Sequence, residues 1–192
     1  EFVATDEEPL PYLEAGLPVE ERVDDLLSRM TVNEKVGQTC LVDRRFLTRS
    51  DYGEAHREAD IRTWFMGGVL SGGGTAPTPN TVEAWADMVD RYQAHALSTR
   101  LGIPLLYGAD AVHGHNNMKD ATLFPHNIGL GAAQDVDLVE RMGRVVAAEC
   151  AAAGVRWTFA PTVSVARDVR WGRTYESFGE TAERTVPMTA AM

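Results

Sequence analysis

Asp110 closes an apolar run, Ile103 to Ala109, and is followed at once by Ala111-Val112-His113-Gly114. The run reads as a buried strand. A carboxylate just past the end of a buried strand is either solvated at the strand mouth or put to use. In barrels and doubly wound sheets, active sites are built at the carboxyl ends of the strands. An ionised aspartate there can accept two hydrogen bonds from neighbouring hydroxyls of a sugar; its ordinary alternative is a loop cap that accepts backbone amides. The same loop carries His113 and His115 as a His-x-His pair, with His126 further on. Paired histidines beside an aspartate have the donor types of a zinc site, which would mean a metal-dependent hydrolase on a barrel. Such spacing is a motif of low specificity, and histidines that hydrogen-bond the loop backbone are the preferred reading.

Two further stretches concentrate unusual residues. Ser71-Gly72-Gly73-Gly74 follows a short apolar run. Glycines there let backbone approach a ligand, and such a loop can cradle phosphate. It has neither a P-loop lysine nor the G-x-G-x-x-G spacing, so a tight turn without a ligand is expected. The third stretch, Ala166 to Glu180, packs Arg167, Asp168, Arg170, Arg173 and Glu176 around Trp171 and Tyr175. That density predicts a buried ion-pair network through Arg167, Asp168, Arg170 and Glu176 that shapes the loop. One guanidinium of the stretch could face a pocket and fork onto hydroxyls.

The elements that must position these loops alternate. Val19 to Met30 has Val23, Leu26, Leu27 and Met30 on one helical stripe. Thr31-Val32-Asn33-Glu34 is a capping box. A strand is expected over Gly37 to Val42, a polar loop or exposed helix start over 43–60, helix over Ile61 to Phe65, and a strand over Gly67 to Leu70. A helix is expected over Asn80 to Arg100, with Trp85, Met88, Val89, Tyr92 and Ala96 at helical spacing. The Ile103–Ala109 strand follows, then a long loop from Asp110 to Gly131. Next come a helix from Asp135 to Ala153 closed by Gly154, a strand over Trp157 to Pro161, and a helix from Gly179 to Met192. Four strand–helix units imply a parallel sheet wrapped by helices, about half of the eight in a (β/α)8 barrel. The chain reads as the front half of something larger.

Composition narrows the partners. The chain has 192 residues, 44% of them hydrophobic, and a net charge of −10 from 18 basic and 28 acidic residues. An anionic protein is a poor match for nucleic acid or an anionic membrane, because phosphate binding needs a cationic face. A neutral sugar suits this balance. Apolar runs fall short of membrane-spanning length, and no signal peptide is visible. Cys40 and Cys150 both sit in apolar patterns and read as small core residues.

Taken in order, these residues resemble glycoside hydrolase family 3. The resemblance is carried by Arg22-Val23-Asp24-Asp25-Leu26-Leu27-Ser28-Arg29-Met30-Thr31 with Glu34-Lys35-Val36-Gly37-Gln38, and by Gly108-Ala109-Asp110-Ala111-Val112-His113-Gly114. Thr122 to Gly131 and Arg170-Trp171-Gly172-Arg173-Thr174-Tyr175-Glu176-Ser177-Phe178-Gly179-Glu180 complete it. It implies an α/β fold, the first half of a (β/α)8 TIM-like barrel, in a retaining exo-β-glucosidase or exo-β-glucanase. It implies that Asp110 and Arg173 bind hydroxyls of the terminal glucose, and that no metal or other cofactor is needed. The family's nucleophile and acid/base match no residue here, since the pattern places them further along. The expected division is 1–18 as an extended arm and 19–192 as the N-terminal part of the barrel, ending before the nucleophile strand. The expected partners are a β-glucoside or β-glucan oligosaccharide, with no nucleic acid and no membrane, and the remainder of the barrel with a second domain, in cis or as another chain. Homodimerisation is compatible with this. The segment alone is expected to be inactive, and the location periplasmic or extracellular. The other readings are the metal-dependent hydrolase using His113 and His115, and a non-catalytic sugar-binding module.

Overall fold

A computed structural model describes residues 10–48 and 57–192. Residues 1–9 of the expected arm and 49–56 of the expected polar loop lie outside the described residues. Pro11–Leu13 is a 3-10 turn, followed by helix α1 (Val19–Arg29), helix α2 (Val32–Gln38), strand β1 (Leu41–Asp43) and the short helix α3 (Arg45–Thr48). Helix α4 (Asp60–Thr63), strand β2 (Gly68–Ser71), helix α5 (Val82–Leu97) and strand β3 (Leu106–Ala109) come next. Helix α6 (Asn127–Ala133), helix α7 (Val136–Ala152), strand β4 (Trp157–Thr158) and helix α8 (Ala182–Ala191) complete the described chain.

The four strands are all parallel and lie in the order β1-β2-β3-β4. That order decides between two architectures. Crossovers between parallel strands are right-handed in nearly all proteins. If strand order never reverses, every connection returns on the same side of the sheet. A doubly wound sheet needs a reversal to place helices on both faces; a barrel does not. The chain is therefore wound like four consecutive units of a (β/α) barrel, as the alternation of elements predicts.

The two faces of the sheet differ accordingly. Val69, Ser71, Tyr107 and Ala109 point to the helices and are buried. They pack with Trp85, Met88 and Tyr92 of α5 and with Val139, Met142 and Val146 of α7. Burial of such side chains stabilises the fold by about 1.5–3 kcal/mol each. The Ser71 hydroxyl meets the Tyr107 hydroxyl at 2.6 Å, so neither is left unsatisfied inside. The opposite face carries the paired positions Leu41, Gly68 and Leu106, then Asp43, Leu70, Gly108 and Trp157. Here Leu41, Leu106 and Trp157 are exposed. In a closed barrel this is the inward face.

The capping box forms as expected. The Thr31 hydroxyl accepts from the Glu34 amide, and Glu34 accepts from the Thr31 amide at 2.8 Å. Glu34 also takes Arg100 at 2.7 Å, which ties α2 to the chain beyond α5 and holds the Glu34 carboxyl below the usual carboxylate range. Several expectations need correction. The first strand starts at Leu41, because the capping box nucleates a helix that carries through Gly37 to Gln38. Cys40 is consequently exposed rather than a core residue, whereas Cys150 is buried. Along α1, Val23 and Leu27 are exposed, so only Leu26 and Met30 of the stripe are partly covered. The long loop after Asp110 contains α6, and the strands expected over 103–109 and 157–161 keep only Leu106–Ala109 and Trp157–Thr158.

Candidate active site

The carboxyl ends of the strands converge on the inward face. The ladder runs one residue past each end: the Asp110 amide donates to the Ser71 carbonyl at 3.1 Å, and the Phe159 amide to the Ala109 carbonyl at 3.2 Å. Asp110 is thus held by sheet geometry rather than by a free loop. Side chains alternate along a strand, so Asp110 faces the same way as Gly108 and Asp43. A side-chain carbon at Gly72 would stand 3.6 Å from Asp110 Oδ2 and 3.8 Å from Asp43 Oδ2. The two carboxylate oxygens are therefore no farther apart than the sum of those two distances, with Gly72 beside both. Gly108 leaves room on this face for the Phe159 ring.

Asp43 is the residue that sequence reasoning missed, being assigned to a polar loop. The available signal was that it ends the first apolar run as Asp110 ends the third. It is bound bidentately by Arg45, at 3.0 and 2.7 Å, and accepts the Arg45 amide at 2.8 Å. Arg45 holds its carboxyl below the ordinary range, so it is a fixed anion rather than an acid.

A side-chain network braces the mouth. Trp85 Nε1 donates to Asn80 Oδ1 at 2.8 Å, and Asn80 Nδ2 donates to the Asn117 carbonyl at 3.0 Å. Asn117 Oδ1 accepts from the Gly74 amide at 3.1 Å, while its Nδ2 reaches the Asp110 carbonyl at 3.5 Å. The glycine loop after β2 is therefore anchored to the loop after β3. Gly114 has φ +102, a region a side chain disfavours.

The three histidines do not converge on one point; only His113 and His126 meet. His113 Nδ1 lies 2.9 Å from the Phe124 carbonyl, and the Phe124 amide donates to the His113 carbonyl at 2.8 Å. His113 stacks on His126 with centroids 4.0 Å apart, and His126 meets Tyr175 edge-on at 4.8 Å. Burial, then the neighbouring His113, pushes the His126 pKa down. His115 is fully buried against Trp85, 4.8 Å centroid to centroid. Among the described residues, no three His, Cys, Asp or Glu side chains gather as a metal site would require. The metal-dependent hydrolase finds no ligand set among the described residues.

The arginine-rich loop also departs from expectation. Instead of one buried network there are two separate pairs. Arg170–Asp168, at 2.5 Å, is solvent-exposed. Arg173–Glu176 is half sunk: Glu176 accepts from Arg173 Nε at 2.8 Å and from Nη2 at 2.5 Å. Each residue of the first pair is two positions from its partner, so a turn suffices to form it in solvent. Glu176 raises the Arg173 pKa most, and the Asp110 charge adds to the effect. The Asp110 charge thus reaches Arg173, although sixty-odd residues of sequence separate them.

Two carboxylates beside Gly72, a guanidinium and the Phe159 ring on a strand-end shelf suit a polyhydroxylated ligand. The family model for the "Glycosyl hydrolase family 3 N terminal domain" matches residues 31–192. The chain belongs to glycosyl hydrolase family 3. It is 37% identical over 88% of its length to a periplasmic β-glucosidase of Salmonella typhimurium, and 33% identical over 82% to a lysosomal β-glucosidase of Dictyostelium discoideum. An exo-1,3/1,4-β-glucanase from a Pseudoalteromonas species superposes with a TM-score of 0.78 and 42% identity over 89% of this chain, covering 21% of that structure. The chain spans 20% of each of the two curated relatives. Membership in family 3 agrees with the resemblance read from the motifs, and with a TIM-like α/β barrel domain.

Proposed function

We propose that this chain forms the sugar-holding part of a retaining exo-β-glucosidase, which removes terminal non-reducing β-D-glucosyl residues from β-glucosides or β-glucan oligosaccharides. The observation that carries this is Asp110, set at the end of β3 on the inward face within electrostatic reach of Arg173, in a chain whose family 3 relatives are β-glucosidases and an exo-β-glucanase. Asp110 accepts hydrogen bonds from neighbouring hydroxyls of the terminal glucose. Arg173 donates to the same sugar from the edge that Glu176 leaves free. A non-catalytic sugar-binding module would use the same two residues, but the relatives' names are those of hydrolases, which favours the enzyme.

Retaining hydrolysis needs two carboxyl groups about 5–5.5 Å apart, one of them protonated as the acid. Asp43 is committed to Arg45 and Glu176 to Arg173, and both are held below the ordinary carboxylate range. Neither suits an acid, so catalysis is assigned to no residue of this chain. The nucleophile and the acid/base come from the remainder of the barrel and a second domain, in cis or as another chain. The lengths of the relatives support this. On this reading residues 19–192 are the first part of the barrel and residues 1–18 a lead-in, and the segment by itself turns nothing over. A periplasmic or extracellular location is supported by two relatives named as periplasmic; among the described residues no helix is long and apolar enough to cross a membrane.

The test is Asp110→Asn in the complete enzyme, assayed on an aryl β-glucoside. The substitution keeps shape and removes charge. Loss of charge-assisted hydrogen bonds costs about 1.5–3 kcal/mol each, on the order of a hundredfold in kcat/KM when more than one is made. Unchanged kinetics would remove Asp110 from the pocket.

A further inference from the structure

The structure assigns Glu176 a task of its own: it is the positioning residue for Arg173, holding one edge of the guanidinium so that the other faces the Asp110 shelf. This rests on the sugar-binding reading above. Arg173 is 61% exposed, whereas Glu176 is only 10% exposed at the side chain. Both Glu176 oxygens accept from Arg173, through Nε and Nη2. Nη1 has no protein partner among the described residues and is left for a ligand.

The loop does not need that carboxylate to hold its shape. The Glu176 carbonyl accepts from Asn127 Nδ2 at 2.8 Å and from the Thr162 hydroxyl. The Ser177 hydroxyl donates to the Ser164 carbonyl at 2.7 Å, and Phe178 is buried in the core. Helix α6, the segment after β4 and the core therefore clamp the backbone at 176–178, and the Glu176 side chain takes no part in those clamps. Its two oxygens serve the guanidinium first, with Tyr175 as a lesser side-chain partner. An exposed arginine held at one end only samples many rotamers and loses that freedom when it forks a ligand. A planar, bidentate carboxylate removes the freedom beforehand and sets the plane of the fork.

The experiment compares wild type, Arg173→Ala, Glu176→Gln and the double variant in the complete enzyme, by kcat/KM on an aryl β-glucoside and by thermal melting. Glu176→Gln is expected to lower kcat/KM on the order of tenfold to a hundredfold, the scale of a misplaced binding group, while the melting temperature stays close to wild type. Glu176→Asp keeps the charge but retracts it by one methylene, so it is expected to lose a similar factor. The deciding result is the double variant, which should be no slower than Arg173→Ala, because a residue that acts through Arg173 has nothing left to do once Arg173 is gone. Additive losses, an unchanged Glu176→Gln, or unfolding of both the Gln and Asp variants would each overturn the assignment. If Arg173→Ala itself retains full kcat/KM, the sugar-binding reading fails and this inference falls with it; additivity on top of a damaging Arg173→Ala sinks the Glu176 assignment alone.

Discussion

Replacing Gly72 by alanine separates ligand binding from folding. The added carbon would lie 3.6 Å from Asp110 Oδ2, 3.8 Å from Asp43 Oδ2 and 3.8 Å from a Leu70 methyl. All are ordinary contacts, and the backbone at Gly72 is not among the positive-φ glycines. The fold should therefore accept the methyl, and the lost freedom of the unfolded chain should stabilise it by about 0.4–1 kcal/mol. The shelf should not accept it. A hydroxyl oxygen bonded to Oδ2 stands about 2.7 Å away, and a methyl carbon keeps an oxygen at about 3.3 Å or more. With the methyl 3.6 Å from Oδ2, those lengths exclude directions within roughly 60° of it, about a quarter of the space around that oxygen. The excluded quarter is the side of Asp110 Oδ2 that faces Gly72. Losing one charge-assisted hydrogen bond costs about 1.5–3 kcal/mol, roughly tenfold to a hundredfold in kcat/KM. The assay is steady-state hydrolysis of an aryl β-glucoside by the complete enzyme, beside a thermal melt. An unchanged kcat/KM would show that the sugar does not approach Asp110 from the Gly72 side, and a clear fall in melting temperature would refute the clearance argument.

Two predictions concern buried titratable groups. His115 is fully buried, neither ring nitrogen has a partner among the described residues, and burial pushes its pKa below the ordinary histidine value. The unfolded chain therefore takes up the proton first as pH falls. The stability linked to His115 is fully present above about pH 6.5 and declines below it by up to about 1.4 kcal/mol per pH unit, until the folded-state pKa is passed. Urea titrations between pH 7 and 5 should show a shallower decline in His115→Leu, and parallel slopes would refute this. For the cysteines, an aromatic disulfide reagent should label exposed Cys40 of this 192-residue chain at once. It should reach Cys150, buried and with its thiol pushed up to about 11, only after denaturation. Equal rates for the two thiols would contradict the burial of Cys150.

Local signals in the chain were enough for much of the framework. The stripe of Trp85, Met88, Val89, Tyr92 and Ala96 marked α5, and Thr31 with Glu34 marked the start of α2, because helix period and capping act within one or two turns. Four alternating units announced the parallel sheet. Helix α6 was hidden because Gly129 and Gly131 each cost about 1 kcal/mol of helix propensity. Tertiary packing overrides that: the backbone at Phe178 comes too close to Gly131 for any side chain there. The strands over 103–109 and 157–161 are shorter than their apolar runs, since hydrophobicity continues beyond the residues whose backbones pair.

By itself, then, the sequence determined the strand–helix alternation and, through residue type and position, the candidacy of Asp110; the resemblance to family 3 supplied Arg173. Only the tertiary structure decided how those residues relate. The register of β1, β2 and β3 turned Asp43 toward the face that Asp110 occupies, with Gly72 beside both. The clamps on the backbone at 176–178 left the Glu176 carboxylate to Arg173 instead of a larger ion-pair network. Burial against Trp85 took His115 away from His113. The physical reason is common to the three: facing, partner choice and desolvation depend on which distant segments pack together, and spacing along a chain does not encode that contact.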